Sequence, residues 1–442
     1  MSSEFNFFQN WYPVSPLEDL EFDRPTPFTL LGQPIVIWKK DIASSYQVFL
    51  DKCPHRLAPL SQGRIDEKTG NLMCSYHGWQ FNSQGICTGI PQAENSHLVD
   101  KNKKNFAVTT FVTREANDLL WVWADTNTPE LAEKTPLPLS PQIDADKGFV
   151  WSSMLRDLEY DWQTFIENVV DPSHVNFSHH GVQGNRNNAK PIPIEIVKSS
   201  AELIEAQTTV PFNTTITFQP PTRVEYAISF GDKGKKFGLI TYCIPIMPGK
   251  CRIIALFSRN FAKSLNKIIP RWWEHIKVRN LVLDGDMILL HQQERYLQQS
   301  QQTWNTAYKL PTSADRFVIE FRKWFDTYCD AKLPWEKLGI SHEQQMEVNY
   351  NSKQVLDRYH QHTQHCKSCR NALKSITKIQ NFLLVYFVST LTITAILPDT
   401  YRFHLGIPIM ATSLLGLGIY GWLKIWLKPK FYFVDYIHAD KK

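Results

Sequence analysis

The chain has 442 residues, 43% hydrophobic and 21% charged, too long for one small core and suited to two domains plus an appendage. Its formal net charge is only +5 and no basic tract concentrates it, so nucleic acid is not an expected partner. Eight cysteines suggest a disulfide framework only at first sight, because Cys87, Cys243, Cys251 and Cys329 are scattered and read as buried thiols in a reducing compartment.

Residues up to about 25 form a proline-containing lead-in. Strand-like runs at Phe28 to Leu31 and Ile35 to Trp38 follow, joined by a turn at Gly32-Gln33-Pro34. Cys53-Pro54-His55 comes next and, after eighteen intervening residues, Cys74-Ser75-Tyr76-His77. This C-x-H…C-x2-H order suits an asymmetric [2Fe–2S] cluster of the Rieske type. Cys53 and Cys74 would hold one iron, His55 and His77 the other. Neutral imidazoles in place of two thiolates reduce the negative charge and raise the potential above that of plant-type ferredoxins. Gly63, Gly70 and Gly78 permit the tight loops such a cluster needs. A Cys2His2 zinc site is the competing reading, but its pairs usually run C-x2-4-C and H-x3-5-H. Alternating runs at Phe106 to Thr113 and Leu119 to Ala124 complete a β-rich cluster domain over residues 8–127. A proline-rich linker, Thr135 to Pro141, closes it.

A second domain is expected over 142–330. It opens with a helix near 160–170 that runs into Asn168-Val169-Val170-Asp171-Pro172-Ser173-His174-Val175-Asn176-Phe177-Ser178-His179-His180. His174 and His179, after a histidine-free run from 98 to 173, suit a non-haem Fe(II) site of two histidines and one carboxylate. Five residues of regular helix turn a side chain by roughly 140°, so the helix must distort or end near Phe177 for both to reach one ion. His180 is the fallback for His179, and two satisfied core histidines are the plain alternative. Strands around 202–210, 213–219, 223–230, 237–246 and 251–258 should form an antiparallel sheet, with helices near 270–299 and 314–328 packed on it. The third ligand falls within the helical run Arg279 to Glu294. Asp286, Leu290 and Gln293 share one face there, and Asp284, Ile288 and His291 another, so geometry alone leaves both aspartates open. The expected fold class is α+β.

The tail, 331–375, carries an isolated C-x2-C, Cys366 and Cys369, with His360, His362 and His365 close by. A redox pair, a small metal site and idle thiols all fit it. Over 379–427, Ile379 to Pro398 and Phe403 to Leu423 are uncharged runs of twenty and twenty-one residues, each long enough to cross a membrane as a helix. Arg370, Lys374 and Lys378 before the hairpin and Lys424, Lys428 and Lys430 after it place both outer ends and the catalytic domain on the cytoplasmic side.

These motifs resemble those of Rieske non-haem iron oxygenases, in the branch containing pheophorbide a oxygenase and chlorophyllide a oxygenase. Further stretches that resemble this branch are Trp11-Tyr12-Pro13-Val14, Cys53 to Ser61, Met247-Pro248-Gly249-Lys250, Thr312-Ser313-Ala314-Asp315-Arg316 and Cys366-Lys367-Ser368-Cys369, so that the likeness spans about residues 8 to 427. The resemblance implies a Rieske cluster and a mononuclear Fe(II), electrons from reduced ferredoxin, O2 as co-substrate and a tetrapyrrole as substrate. It implies a head-to-tail homotrimer in which Asp171 bonds His174 and receives a cluster histidine of the neighbouring subunit. The plain alternative for Asp171 before Pro172 is a helix N-cap. Asn168 would lie near the iron, and the family's spacing of an Asp seven residues before a Gln selects Asp286 with Gln293. Cys366 and Cys369 match a pair reducible by thioredoxin. No Arg- and Ser-rich presequence precedes Trp11, which points to a thylakoid or plasma membrane of a prokaryotic phototroph, with lipid around the hairpin. The chain also resembles the Rieske component of the chloroplast import translocon, which keeps a redox sensor or electron carrier in view.

Overall fold

A computed structural model describes residues 5–95, 101, 104–231, 234–335, 340 and 351–441. Part of the 331–375 tail therefore lies outside the described residues. Three small antiparallel sheets make up the amino-terminal domain. One has the order β1 (Trp11–Pro16), β11 (Leu119–Trp123), β10 (Thr113–Ala116); another runs β2 (Thr26–Leu30), β3 (Gln33–Trp38), β4 (Gln47–Leu50), β9 (Thr110–Phe111). The third, β5 (Arg64–Ile65), β6 (Leu72–Met73), β7 (Gln80–Phe81) and β8 (Cys87–Gly89), frames the cysteine loops. The lead-in is thus more than a coil. Trp11–Pro16 is a fully buried strand paired to β11, with Trp11 opposite Trp123 and a bulge between Pro13 and Ser15. Its prolines are tolerated because it is an edge strand.

The second domain is built on a seven-stranded antiparallel sheet in the order β12 (Val150–Leu158), β18 (Lys250–Arg259), β17 (Lys235–Met247), β16 (Arg223–Phe230), β15 (Asn213–Gln219), β14 (Ile204–Thr208), β13 (Glu195–Ser199). Five strands match the expected runs; β12 and β13 extend the sheet beyond them. On it pack α1 (Trp162–Val169), the single turn α2 (Val175–Ser178), α3 (Asn280–Ser300) and α4 (Arg316–Cys329). Phe165, Phe218, Phe321, Trp324 and Phe325 bury against Trp162 and one another, which fixes α1 and α4 on the sheet. Before α3, a short helix, Arg271–Glu274, passes through a π-helical turn, His275–Arg279, into α3 without a break.

The carboxyl end forms two long helices. α5 (Lys367–Ile396) and the helical run Asp399–Phe431, which contains α6 (Ile407–Trp422), are long and apolar enough to cross a membrane. Phe382, Val385, Val388, Ile396, Phe403, Leu415 and Ile425 stand exposed on them, an arrangement that water would penalise. After the hairpin the chain returns to the second domain, where Tyr436 is buried against α3.

Candidate functional site

The cysteine loops share one backbone design. Cys53 N–H donates to the Ala58 carbonyl and Leu57 N–H to the Cys53 carbonyl; Cys74 N–H donates to Trp79 and Gly78 N–H to Cys74. Leu57 (φ 60°) and Gly78 (φ 73°) occupy the equivalent left-handed position. Each loop therefore buries its cysteine and carries its histidine outward. Cys53 and Cys74 sit in a small core with Trp38, Phe49 and Phe81, while His55 and His77 are partly exposed, their ring centroids 4.5 Å apart. Trp79 stacks on His55 at 4.9 Å and fixes its plane. Burial pushes the Cys53 thiol up to about 12, so its thiolate form requires the positive charge of a bound metal. His55 Nδ1 is buried and has no hydrogen-bond partner, which is the expected state of a ring nitrogen reserved for a metal. Sulfur donors from one side and imidazoles from the other fit a Rieske cluster.

The second constellation is His174, His179 and Asp286, whose ligand atoms all lie within 4.8 Å of one another. His179 Nε2 is 3.3 Å from Asp286 Oδ2, and His174 Nε2 is 3.9 Å from Oδ1. The helix does end where two converging histidines require it. α2 is a single turn whose last helical residue is Ser178, with Phe177 exposed and His179 outside the helix. Ser178 Oγ donates to Asp286 Oδ1 at 2.7 Å, and His174 Nδ1 lies 2.5 Å from the Asp171 carbonyl. That carbonyl accepts the Nδ1 proton, so Nε2 is left as the donor to a metal. Burial alone would raise the Asp286 carboxyl, but hydrogen bonding from His179, the neighbouring imidazoles and Ser178 together hold it below the usual carboxylate range. Two imidazoles and one carboxylate on one side fit a non-haem Fe(II) centre with its other positions open.

Other candidates have different surroundings. His180 is buried, but its Nδ1 accepts the Arg186 N–H. Asp284, the alternative ligand, is wholly buried between Arg156 (Nη2 2.7 Å from Oδ1) and Arg358. Asp171 contributes its carbonyl, and not its carboxylate, to His174. The carboxylate instead accepts Ser173 N–H and Oγ–H through Oδ1, closing a turn before α2 in place of a helix N-cap. Asn168 lies one turn upstream, half-buried, with its carbonyl accepting the Asp171 N–H. Gln293 bonds Glu167 and Tyr308.

Sequence reasoning missed the returning tail. Tyr436 Oη donates to the carbonyl of Ser178 at 3.1 Å, the residue whose hydroxyl bonds Asp286. Gly285 makes room for this contact, since a Cβ there would lie 3.0 Å from the Ser178 oxygen and 3.1 Å from Tyr436 Cζ. It also missed His275. Cys366 and Cys369 do meet a histidine from their own neighbourhood, His362, but their other partner is His275 from the π-turn before α3. His360 pairs with Asp357 at the surface, and His365 faces Asp157 and Gln364. Burial draws the His275 pKa down to about 4, which keeps that ring neutral. Cys87, Cys243, Cys251 and Cys329 are buried, as expected.

Comparison with known proteins adds the context of relatives. The Rieske [2Fe–2S] domain model matches residues 10–111, and the pheophorbide a oxygenase model matches residues 218–304. Pheophorbide a oxygenase of Oryza sativa subsp. japonica is 37% identical over 99% of this chain and 86% of that protein. Flavonoid 8-hydroxylase 2 of Ocimum basilicum is 30% identical, again over 99% of this chain and 86% of its own. Among solved structures, dicamba monooxygenase bound to dicamba superposes with a TM-score of 0.61 at 18% identity, covering 76% of this chain and 100% of that one.

Proposed function

This chain belongs to the pheophorbide a oxygenase family of Rieske non-haem iron oxygenases, and we propose that it is a membrane-anchored member that oxidises a chlorophyll-type tetrapyrrole. It is an oxidoreductase whose cofactors are a Rieske [2Fe–2S] cluster and a mononuclear iron. O2 and electrons delivered singly by a reduced ferredoxin are its proposed co-substrates. The observation that carries the reading is that one chain holds both donor sets intact, the paired cysteine–histidine loops and the convergent His174, His179 and Asp286.

When bound, a cluster held by Cys53, His55, Cys74 and His77 would supply one-electron transfer, and an iron held by His174, His179 and Asp286 would supply O2 activation. The protein's part is positional. Cys53 and Cys74 would hold the cluster from the buried side, and His55, held flat by Trp79, and His77 from the partly exposed side that an electron partner would approach. Asp171, with Ser173 on one carboxylate oxygen, is the proposed bridge to the cluster histidine of a neighbouring subunit in a head-to-tail homotrimer. Its carbonyl orients His174, and Ser178 orients Asp286, so that both metal-facing atoms are set before iron arrives. The apolar hairpin, flanked by Lys374, Lys378, Lys424 and Lys428, would confine the enzyme to the cytoplasmic face of a membrane that also dissolves its substrate.

The test is iron quantitation with anaerobic electron paramagnetic resonance, followed by single turnover under 18O2 with chlorophyllide, pheophorbide and flavonoid panels. Three irons per chain, a third iron perturbed by one pigment, and 18O in that pigment are the expected results. Oxygen entering only a flavonoid would overturn the tetrapyrrole assignment. Two irons per chain and no incorporation would make the protein an electron carrier or sensor.

A further inference from the structure

His275, His362, Cys366 and Cys369 form a second closed donor set, separate from both iron sites. All four are buried, with relative exposures of 2%, 0%, 0% and 0%. His362 Nε2 lies 3.1 Å from His275 Nδ1 and 3.3 Å from Cys369 Sγ; His275 Nδ1 lies 3.7 Å from Cys366 Sγ and 3.6 Å from Cys369 Sγ. A tetrahedral zinc with Zn–N of about 2.0–2.1 Å and Zn–S of about 2.3 Å separates its donors by about 3.3 Å for N and N, and about 3.6 Å for N and S. The four distances match that polyhedron.

The ring tautomers point the same way. His275 Nε2 is 3.0 Å from the Ser153 carbonyl, and His362 Nδ1 is 2.5 Å from the Leu155 carbonyl. A carbonyl only accepts, so each ring carries its proton on that outer nitrogen. The inner nitrogens, His275 Nδ1 and His362 Nε2, then face each other with lone pairs and no proton between them. Thiol protons donated by Cys366 and Cys369 could satisfy each nitrogen singly, but would leave this 3.1 Å lone-pair contact unrelieved. A cation between them relieves it. Imidazoles whose far N–H is held by a backbone carbonyl are the usual orientation of metal-bound histidine.

We propose that His275, His362, Cys366 and Cys369 bind a structural zinc ion with closed Cys2His2 coordination. Two thiolates balance the charge of Zn2+, so the buried centre is neutral overall. The ion ties three segments: the π-turn that runs on into α3 and Asp286, the π-turn Tyr359–Thr363, and the first turn of α5 that leads to the hairpin. It thereby fixes the apolar hairpin to the helix that carries an iron ligand. Neither sulfur has exposed surface in this fold, so the ion would act as a buried clamp.

The test uses the full chain purified anaerobically in detergent, with zinc and iron measured together. One zinc per chain beside three irons is expected, with a zinc K-edge spectrum showing two sulfur and two nitrogen neighbours. The Cys366→Ser, Cys369→Ser double variant should lose the zinc and keep the reduced Rieske signal, while Cys329→Ser keeps both. Zinc at trace level, zinc present only at the expense of iron, or a Cys366–Cys369 disulfide in the isolated protein would overturn the proposal. If the double variant fails to fold, the wild-type stoichiometry and edge spectrum decide alone.

Discussion

Asp284 and Asp286 are two residues apart on one helix, yet they should respond to the same substitution in opposite ways. Asp284→Asn removes a carboxylate with no exposed surface that lies between Arg156 and Arg358, both side chains fully buried. Each guanidinium–carboxylate contact is worth about 4 kcal/mol of attraction at an effective dielectric of about 20. Much of this offsets the desolvation of three charges. What the substitution exposes is the remainder, two buried guanidinium groups facing a neutral amide, and breaking such a pair costs about 3–5 kcal/mol. In a domain of this size that corresponds to a fall of about 6–20 °C in thermal midpoint. Asp286→Asn keeps an oxygen for the Ser178 hydroxyl and removes one buried negative charge, so its stability cost should stay within about 1 kcal/mol. Its iron content should drop from three per chain to two, with the Rieske signal intact. The assay is a melting curve of each variant in detergent beside iron quantitation. An Asp284→Asn protein that melts like wild type but lacks the third iron would refute the assignment of these two carboxylates.

Three further outcomes follow from particular contacts. Leu57 is exposed and holds a left-handed backbone, so Leu57→Gly should leave cluster stability unchanged or raise it by up to about 1 kcal/mol. Gly78→Ala, whose Cβ would lie 3.0 Å from Pro91 Cγ, should lower it; thermal bleaching of the cluster absorbance compares the two, and equal effects would refute the loop equivalence. Tyr436→Phe removes the hydrogen bond to Ser178 at a cost of about 1 kcal/mol and should speed loss of the mononuclear iron to a chelator. Unchanged release would detach the tail from the site. Glu294 is buried beside Asp161, and burial followed by that neighbour's charge raises its pKa well above the ordinary value. The native state therefore binds a proton that the unfolded chain releases above about pH 4.3, so its contribution is complete below that pH and is lost as pH rises through the folded pKa. Glu294→Gln should match wild type below about pH 4.3 and lose less stability as pH rises from there, read from denaturant midpoints across pH.

What could be read from the sequence was what the chain states locally. The cysteine–histidine loops and the His174–His179 pair are each set within a few residues, and their backbone solutions, a left-handed fifth position and a one-turn helix, follow from that spacing. The apolar hairpin was equally legible because length and lack of charge are local properties. Trp11–Pro16 was not, because its prolines deny it a strand signature and its partner β11 lies more than a hundred residues on. Strand β12 was hidden for a different reason. Arg156 and Asp157 interrupt its apolar pattern, and Arg156 is buried only because Asp284, Asn280 and Gln361 receive its guanidinium. A buried charge cannot be told from an exposed one until its partner is known.

The same limit explains why periodicity alone could separate Asp284 from Asp286 without choosing between them. A helix turns by about 100° per residue, so the two carboxylates must point about 200° apart. Which direction holds iron depends on what lies there. Ser178 and His179, brought round by the broken turn of α2, wait on one side. Arg156 from β12 and Arg358 from beyond the catalytic domain wait on the other. His275 obeys the same rule eleven residues upstream, where a π-turn aims it at a cysteine pair some ninety residues away. The helix is then one rigid element with three faces of different charge chemistry, and each face is defined by residues remote in sequence. Any substitution that rotates or unwinds the π-turn should therefore disturb the iron ligand and the hairpin together, although it touches neither.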